Sequence, residues 1–307
     1  MSEQFVEPAL AETYSVPGSA FHKATIMGLV AILFWSPAEL LFVWMRHLSV
    51  MLVLGVAFSV YFLIIAVKLT VRQTWGTLRQ PWPMWVYGFV GIYVNNVLNL
   101  YAVKYAPIAH VALLAYLWPI TIIFLARIFL REPLTLQQLF ASTLALLGIY
   151  FLVQDDGILE NISMEYIWGY TLAFMSGTLW AGYCVASQYY KLPQTDRLGM
   201  YCGMGAVFSF LMFFIFEPNI ASQLSALHFS EIGMMLILGL TALGVAFSFW
   251  DYGIEQGNVK LLCTASFFIP ILSTALLIVF GEAEFTYGLV SAVICVSLAC
   301  YLAKSKT

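Results

Sequence analysis

Long apolar runs separated by short polar breaks recur from residue 24 to residue 303. Most are long enough to cross a ~30 Å hydrocarbon core at about 1.5 Å of rise per residue. The runs are continuous rather than alternating, which predicts transmembrane α-helices and argues against a β-barrel. They divide into ten predicted spans: 24–44, 48–68, 84–104, 107–129, 135–153, 166–187, 198–217, 231–251, 258–280 and 285–303. Residues 1–23 carry Glu3, Glu7, Glu12 and Pro17 and are expected to form a polar tail, with a second short tail at 304–307. The first apolar run begins too late and is too long for a cleavable signal peptide.

Composition agrees with this pattern. The chain has 307 residues, of which 62% are hydrophobic and 9% charged, too few charges to cover a soluble surface of this size. The basic residues give the orientation. With the N-terminus in the cytoplasm, eleven of the thirteen fall inside: Lys23, Lys68, Arg72, Arg79, Arg127, Arg131, Lys191, Arg197, Lys260, Lys304 and Lys306. Arg46 and Lys104 fall outside, and the predicted outer loop 154–165 has four acids and no base. The expectation is a multi-pass protein of the inner (plasma) membrane with both termini cytoplasmic.

Two segments match at a fixed offset of 151: "LYAVKYAPIAHVALLAYLWPI" (100–120) and "DYGIEQGNVKLLCTASFFIPI" (251–271). The offset pairs Tyr116 with Phe267 and Pro119 with Pro270; an offset of 145 pairs Trp35 with Trp180. Residues 24–153 and 166–303 then form two five-helix repeats. Five is odd, so the second repeat enters the membrane with opposite polarity. Such inverted repeats are characteristic of secondary transporters, whose substrate sites lie at the repeat interface. Pro119 gives no N–H and is expected to break its helix one turn earlier, near Ala115 and Tyr116, with Pro270 doing the same in the other repeat. Both are candidate hinges.

Enzyme chemistry is absent from the motifs. The five cysteines all lie in apolar spans without a CxxC pair, and the four histidines make no metal set. No phosphate loop, nucleophile elbow or zinc-protease motif occurs. No cofactor, metal or catalytic residue is expected. A mildly negative net charge of −3 and the lack of a basic patch exclude a nucleic-acid partner.

The segments "GLVAILFWS", "AYLWPITIIFLA", "GTLWAGYCVAS", "FSFWDYGIEQGNV" and "SFFIPILSTAL" resemble the EamA branch of the drug/metabolite transporter superfamily, and within it the bacterial aromatic amino-acid exporters. The resemblance implies a ten-helix basket and alternating access to a central cavity. It points to Trp35, Tyr116, Trp118, Trp180, Tyr183, Trp250 and Phe267 as cavity-lining residues. Aromatic walls with a few polar handles suit small amphipathic metabolites such as aromatic or hydrophobic amino acids. Trp44, Trp82, Trp85 and Trp168 are expected at the membrane interfaces instead.

Polar residues inside the spans add candidates. Asn95 and Asn99 share one face of the third helix and should turn toward protein or cavity, as should Asn96. Glu39, one turn after Trp35, is an acid within a span, a functional candidate by default. Such a group could bind and release a proton, as in a proton-coupled multidrug or organic-cation exporter, and a membrane-embedded Glu in the first helix is similar to the small multidrug-resistance branch of the superfamily. Asp251 and Glu255 are placed at the inner end of the eighth helix, in the interface, and His110 is read as a structural histidine. The expected partners are a small-molecule substrate and the lipid bilayer, with possible proton coupling and a monomeric state.

Overall fold

The structure is a computed structural model and describes residues 18–106, 111, 114–154, 164–190, 195–225 and 227–303. Most of the predicted N-terminal tail, most of loop 154–165, His110, Lys191 and residues 304–307 lie outside the described residues. Among the described residues there is helix and no strand.

The described residues form ten principal helical segments in succession. They are α1 (Ser19–Trp44), α2 (Val50–Arg72), α3 (Trp82–Tyr105), α4 (Trp118–Leu130), α5 (Leu136–Gln154), α6 (Ile167–Tyr190), α7 (Thr195–Phe216), α8 (Phe229–Gln256), α9 (Val259–Val279) and α10 (Tyr287–Ala303). Six of them, α1, α2, α3, α7, α8 and α9, are long and apolar enough to cross a membrane. α4, α5 and α10 contribute shorter apolar helices. Leu33, Leu63, Val67, Phe214 and Ile294 are exposed along these helices, the outward apolar surface expected of a chain solvated by lipid.

Proline sets the interruptions. Before α4, Leu114 and Ala115 are helical, Tyr116 and Leu117 form a turn, and the helix resumes at Trp118. In α9 the break falls at Ser266 and Phe267. A third break lies within α1, at Ser36 and Pro37, between Gly18–Trp35 and Ala38–Trp44. The "SP" in that run is its signal, since Pro37 offers no N–H to the preceding turn. Two single-turn π-helices, Val90–Val94 in α3 and Thr241–Val245 in α8, begin 151 residues apart (241 − 90). A further π-turn, Ala126–Leu130, closes α4.

The most extensive helix pairings join α2 to α7, α5 to α10, α1 to α8 and α3 to α6. Small residues allow the close approaches. A Cβ built on Gly253 of α8 would sit 2.9 Å from the Cα of Gly28 in α1. One built on Gly239 would meet the backbone of Ala57 in α2, with the carbonyl carbon and Cα each 2.9 Å away. Without a hydrophobic drive between helices in lipid, such backbone contact is a main source of association. Lys68 and Asp196 form an ion pair between α2 and α7.

Candidate functional site

Four tryptophans meet between α1, α4, α6 and α8. Trp35 packs on Trp180 edge to face at 5.9 Å between ring centroids and on Trp250 at 5.4 Å. Trp118 packs edge to face on Trp180 at 6.2 Å and on Trp250 at 5.4 Å. Phe247 completes the group, 5.6 Å from Trp35 and 5.3 Å from Trp180. Trp118, Trp180 and Trp250 are buried. Edge-to-face rings at these distances attract through their quadrupoles as well as through the area they bury.

Two of the indole N–H groups have partners. Trp35 Nε1–H donates to the carbonyl of Ala242 at 2.9 Å. Ala242 lies in the π-turn of α8, where the widened helix offers carbonyls to side chains. Cys202 Sγ approaches the next carbonyl, that of Leu243, at 3.6 Å. Trp250 Nε1–H donates to Cys184 Sγ at 3.5 Å. Trp35→Phe keeps a ring and strands the Ala242 carbonyl. It is expected to lower stability by about 1 kcal/mol, read as a drop in the thermal midpoint of the detergent-solubilised protein, with an unchanged midpoint as the contrary result.

Tyr183, fully buried, stacks tilted on Trp180 at 5.6 Å and donates its hydroxyl to Asp251 Oδ2 at 2.7 Å. The sequence reading puts Asp251 at the membrane interface; the structure instead leaves it 1% exposed. α8 runs on to Gln256, five residues past the expected end at 251, so Asp251 falls inside the helix and against α6.

Other predicted residues lie apart from the tryptophans. Phe267 is buried in a separate cluster with Ala141, Ala145 and Ala292, and Tyr116 packs against that cluster. Glu39 follows the α1 break and is exposed, and Ser273 Oγ donates to its Oε2 at 2.5 Å. The break at Ser36 and Pro37 is why Glu39 does not follow Trp35 into the cluster. Asn95 and Asn99 are half-buried; Asn99 Oδ1 is buried and accepts no hydrogen bond from the described residues. Asn96 Nδ2 donates back to Ile92 O at 2.7 Å. Trp82 and Trp168 are strongly exposed, Trp44 less so, and Trp85 packs on Tyr201. Phe247 is the cluster member that the sequence reading passes over; its signal is its position one turn before Asp251 and three residues before Trp250.

Known proteins give the arrangement a family. The aromatic amino acid exporter YddG of Ancylobacter novellus is 32% identical over 262 residues, covering 85% of this chain and 90% of that protein. The aromatic amino acid exporter YddG of Escherichia coli strain K12 is 28% identical over 296 residues, covering 92% and 97%. A crystal structure of a protein 30% identical to this one superposes with a TM-score of 0.83, covering 92% of this chain and 98% of the other. The profile of the EamA-like transporter family matches twice, at residues 22–154 and 167–304. The chain belongs to the EamA-like transporter family, and it is a multi-pass membrane transporter rather than an enzyme.

Proposed function

We propose that the protein exports small amphipathic amino acids, aromatic or hydrophobic, across the inner membrane by alternating access of a ten-span inverted repeat. The observation that carries this reading is the tryptophan cluster. Trp35 and Trp118 come from the first profile match, Trp180 and Trp250 from the second. Two halves that rock about a shared aromatic wall open it to one side and then to the other. The wall offers flat apolar area to a ring or branched side chain. The names of two relatives, both aromatic amino acid exporters, support the substrate class.

Several observations support the inverted repeat of 24–153 and 166–303. Exchanging each helix for the one five places along turns the α1–α8 pair into α6–α3 and leaves α2–α7 and α5–α10 unchanged, and these are the principal pairs. The two π-turns repeat at the offset that aligns Pro119 with Pro270. Trp35 and its counterpart Trp180 touch, as equivalent residues beside a two-fold axis do. The breaks before Trp118 and Phe268 then serve as hinges, and the excess of Lys and Arg in one set of loops supports cytoplasmic termini.

Efflux from proteoliposomes tests the substrate. Vesicles preloaded with labelled L-phenylalanine or L-tryptophan are expected to empty faster than protein-free vesicles, with L-glutamate and L-lysine retained. Movement of tetraphenylphosphonium but of no amino acid replaces this reading with an organic-cation exporter.

A further inference from the structure

A pair of carboxylates lies beside the tryptophans. Asp251 and Glu255 are i and i+4 on α8 and share a face. One oxygen of Asp251 takes the Tyr183 hydroxyl; the other, Oδ1, is buried and meets no hydrogen-bond donor among the described residues. Glu255 Oε1 is likewise buried without a donor. Among the described residues no Lys, Arg or His lies within ion-pair distance of either carboxylate.

The surroundings supply little positive charge. From α2 the pair faces Tyr61, which is hydrogen-bonded to Ser248. α6 presents Tyr183 and Cys184, and α7 presents Tyr201 and Cys202. Arg197 of α7 acts on Glu255 from a longer range, and its guanidinium donates to the carbonyls of Thr77 and Arg79 at 2.8 and 2.9 Å. The titratable groups of the neighbouring ends of α1 and α9 are the exposed His22 and Lys23, the half-buried Lys260 and the buried Cys263.

Two carboxylates in this setting cannot both stay ionised cheaply. Among the described residues neither is paired with a cation; Asp251 is buried and Glu255 half-buried, and their charges lie one helical turn apart. A proton on one oxygen removes the repulsion and turns that oxygen into a donor for the other group. Side chains at this spacing are about 5–6 Å apart at Cβ, near enough to share the proton directly or through one water.

We propose that Asp251 and Glu255 form a reversible proton-binding site of this transporter, linked to the tryptophan cluster through Tyr183. A proton taken from water adds to a carboxylate oxygen, forming one O–H bond, and the same bond breaks on release; no other reactant takes part. With the proton in place the pair carries a single negative charge shared between its oxygens, and α6, α7 and α8 pack closed around it. Its loss leaves two adjacent negative charges that draw in water and favour opening at that end. Coupling of this step to amino-acid export rests on the function proposed above, whereas proton binding does not.

Infrared difference spectra of the protein in detergent, recorded without substrate from mildly acidic to mildly alkaline pH, test the site. The expected result is a carbonyl band of a protonated carboxylic acid that disappears as pH rises. Carboxyl-labelled aspartate should shift that band in the wild-type protein, since Asp251 is one of only four aspartates in the chain. Asp251→Asn and Glu255→Gln should each remove or displace it. The inference is overturned if the wild type shows no such band, if neither label nor variants alter it, or if it vanishes in Glu39→Gln alone. A band with these properties in a protein that moves no amino acid leaves the site standing and removes the export reading.

Discussion

Trp250→Ala is expected to abolish transport and to destabilise the protein by about 3–5 kcal/mol, the range for a buried Trp truncated in a packed core. Trp250 has no exposed surface and touches Trp35 and Trp118, so its loss from the second profile match opens a void against two rings of the first. Lipid tails do not collapse into a void at the protein centre, and packing is what holds membrane helices together. Trp250→Phe keeps an aromatic ring and gives up the N–H contact to Cys184 and part of the indole's volume. It should recover most of the stability and part of the transport. The measurement is the thermal midpoint in detergent together with phenylalanine efflux from vesicles. A Trp250→Ala protein with wild-type midpoint and rate would mean that the cluster is neither a structural wall nor part of the transport path.

The helices were legible because the hydrophobic effect and backbone satisfaction in lipid leave few options for runs of twenty apolar residues. Pro119 and Pro270 announced their breaks for a covalent reason, the missing N–H, and Pro37 carried the same signal. Four of the tryptophans singled out from the chain do meet. What holds them is another matter. The acceptor for Trp35 is a carbonyl of a π-turn, and no residue in "TALGV" announces that turn by itself; it arises where α8 packs on α1 and α2.

The burial of Asp251 was hidden for a similar reason. The charged tail of "WDYGIEQGNV" suggested a helix end in the headgroup region. Gly253 fits against Gly28 and Gly257 against Thr25, so α1 and α8 stay in backbone contact for another turn and carry the acid inward. Thr25 Oγ1 also accepts from Asn258 N–H at 2.9 Å, which fixes the turn that follows. Such contacts span more than two hundred residues and depend on which helices are neighbours. Single-chain periodicity does not encode them.

Two alanine substitutions on one helix separate the hinge from general tolerance of α6. Pro119 has no N–H to give to the carbonyl of Ala115, one turn earlier, and this oxygen needs another neighbour inside the membrane. Gly177 of α6 provides it: a Cβ built there would lie 2.7 Å from Ala115 O and 3.5 Å from Trp118 Cβ. Glycine lets the Cα hydrogens face the carbonyl, the weak bond common at close helix crossings. In Gly177→Ala the methyl group must displace either the broken segment or α6, an overpacking cost of about 1–3 kcal/mol. Trp118, three residues past Ala115, moves with it, so efflux should fall along with the thermal midpoint. Gly182, five residues along the same helix, has open space where its Cβ would go. Gly182→Ala should be neutral or stabilising by up to ~1 kcal/mol through helix propensity, with transport retained. Equal midpoints and equal efflux rates for the two variants would show that α6 does not need to approach the freed carbonyl, and that the break before Trp118 is supported in some other way.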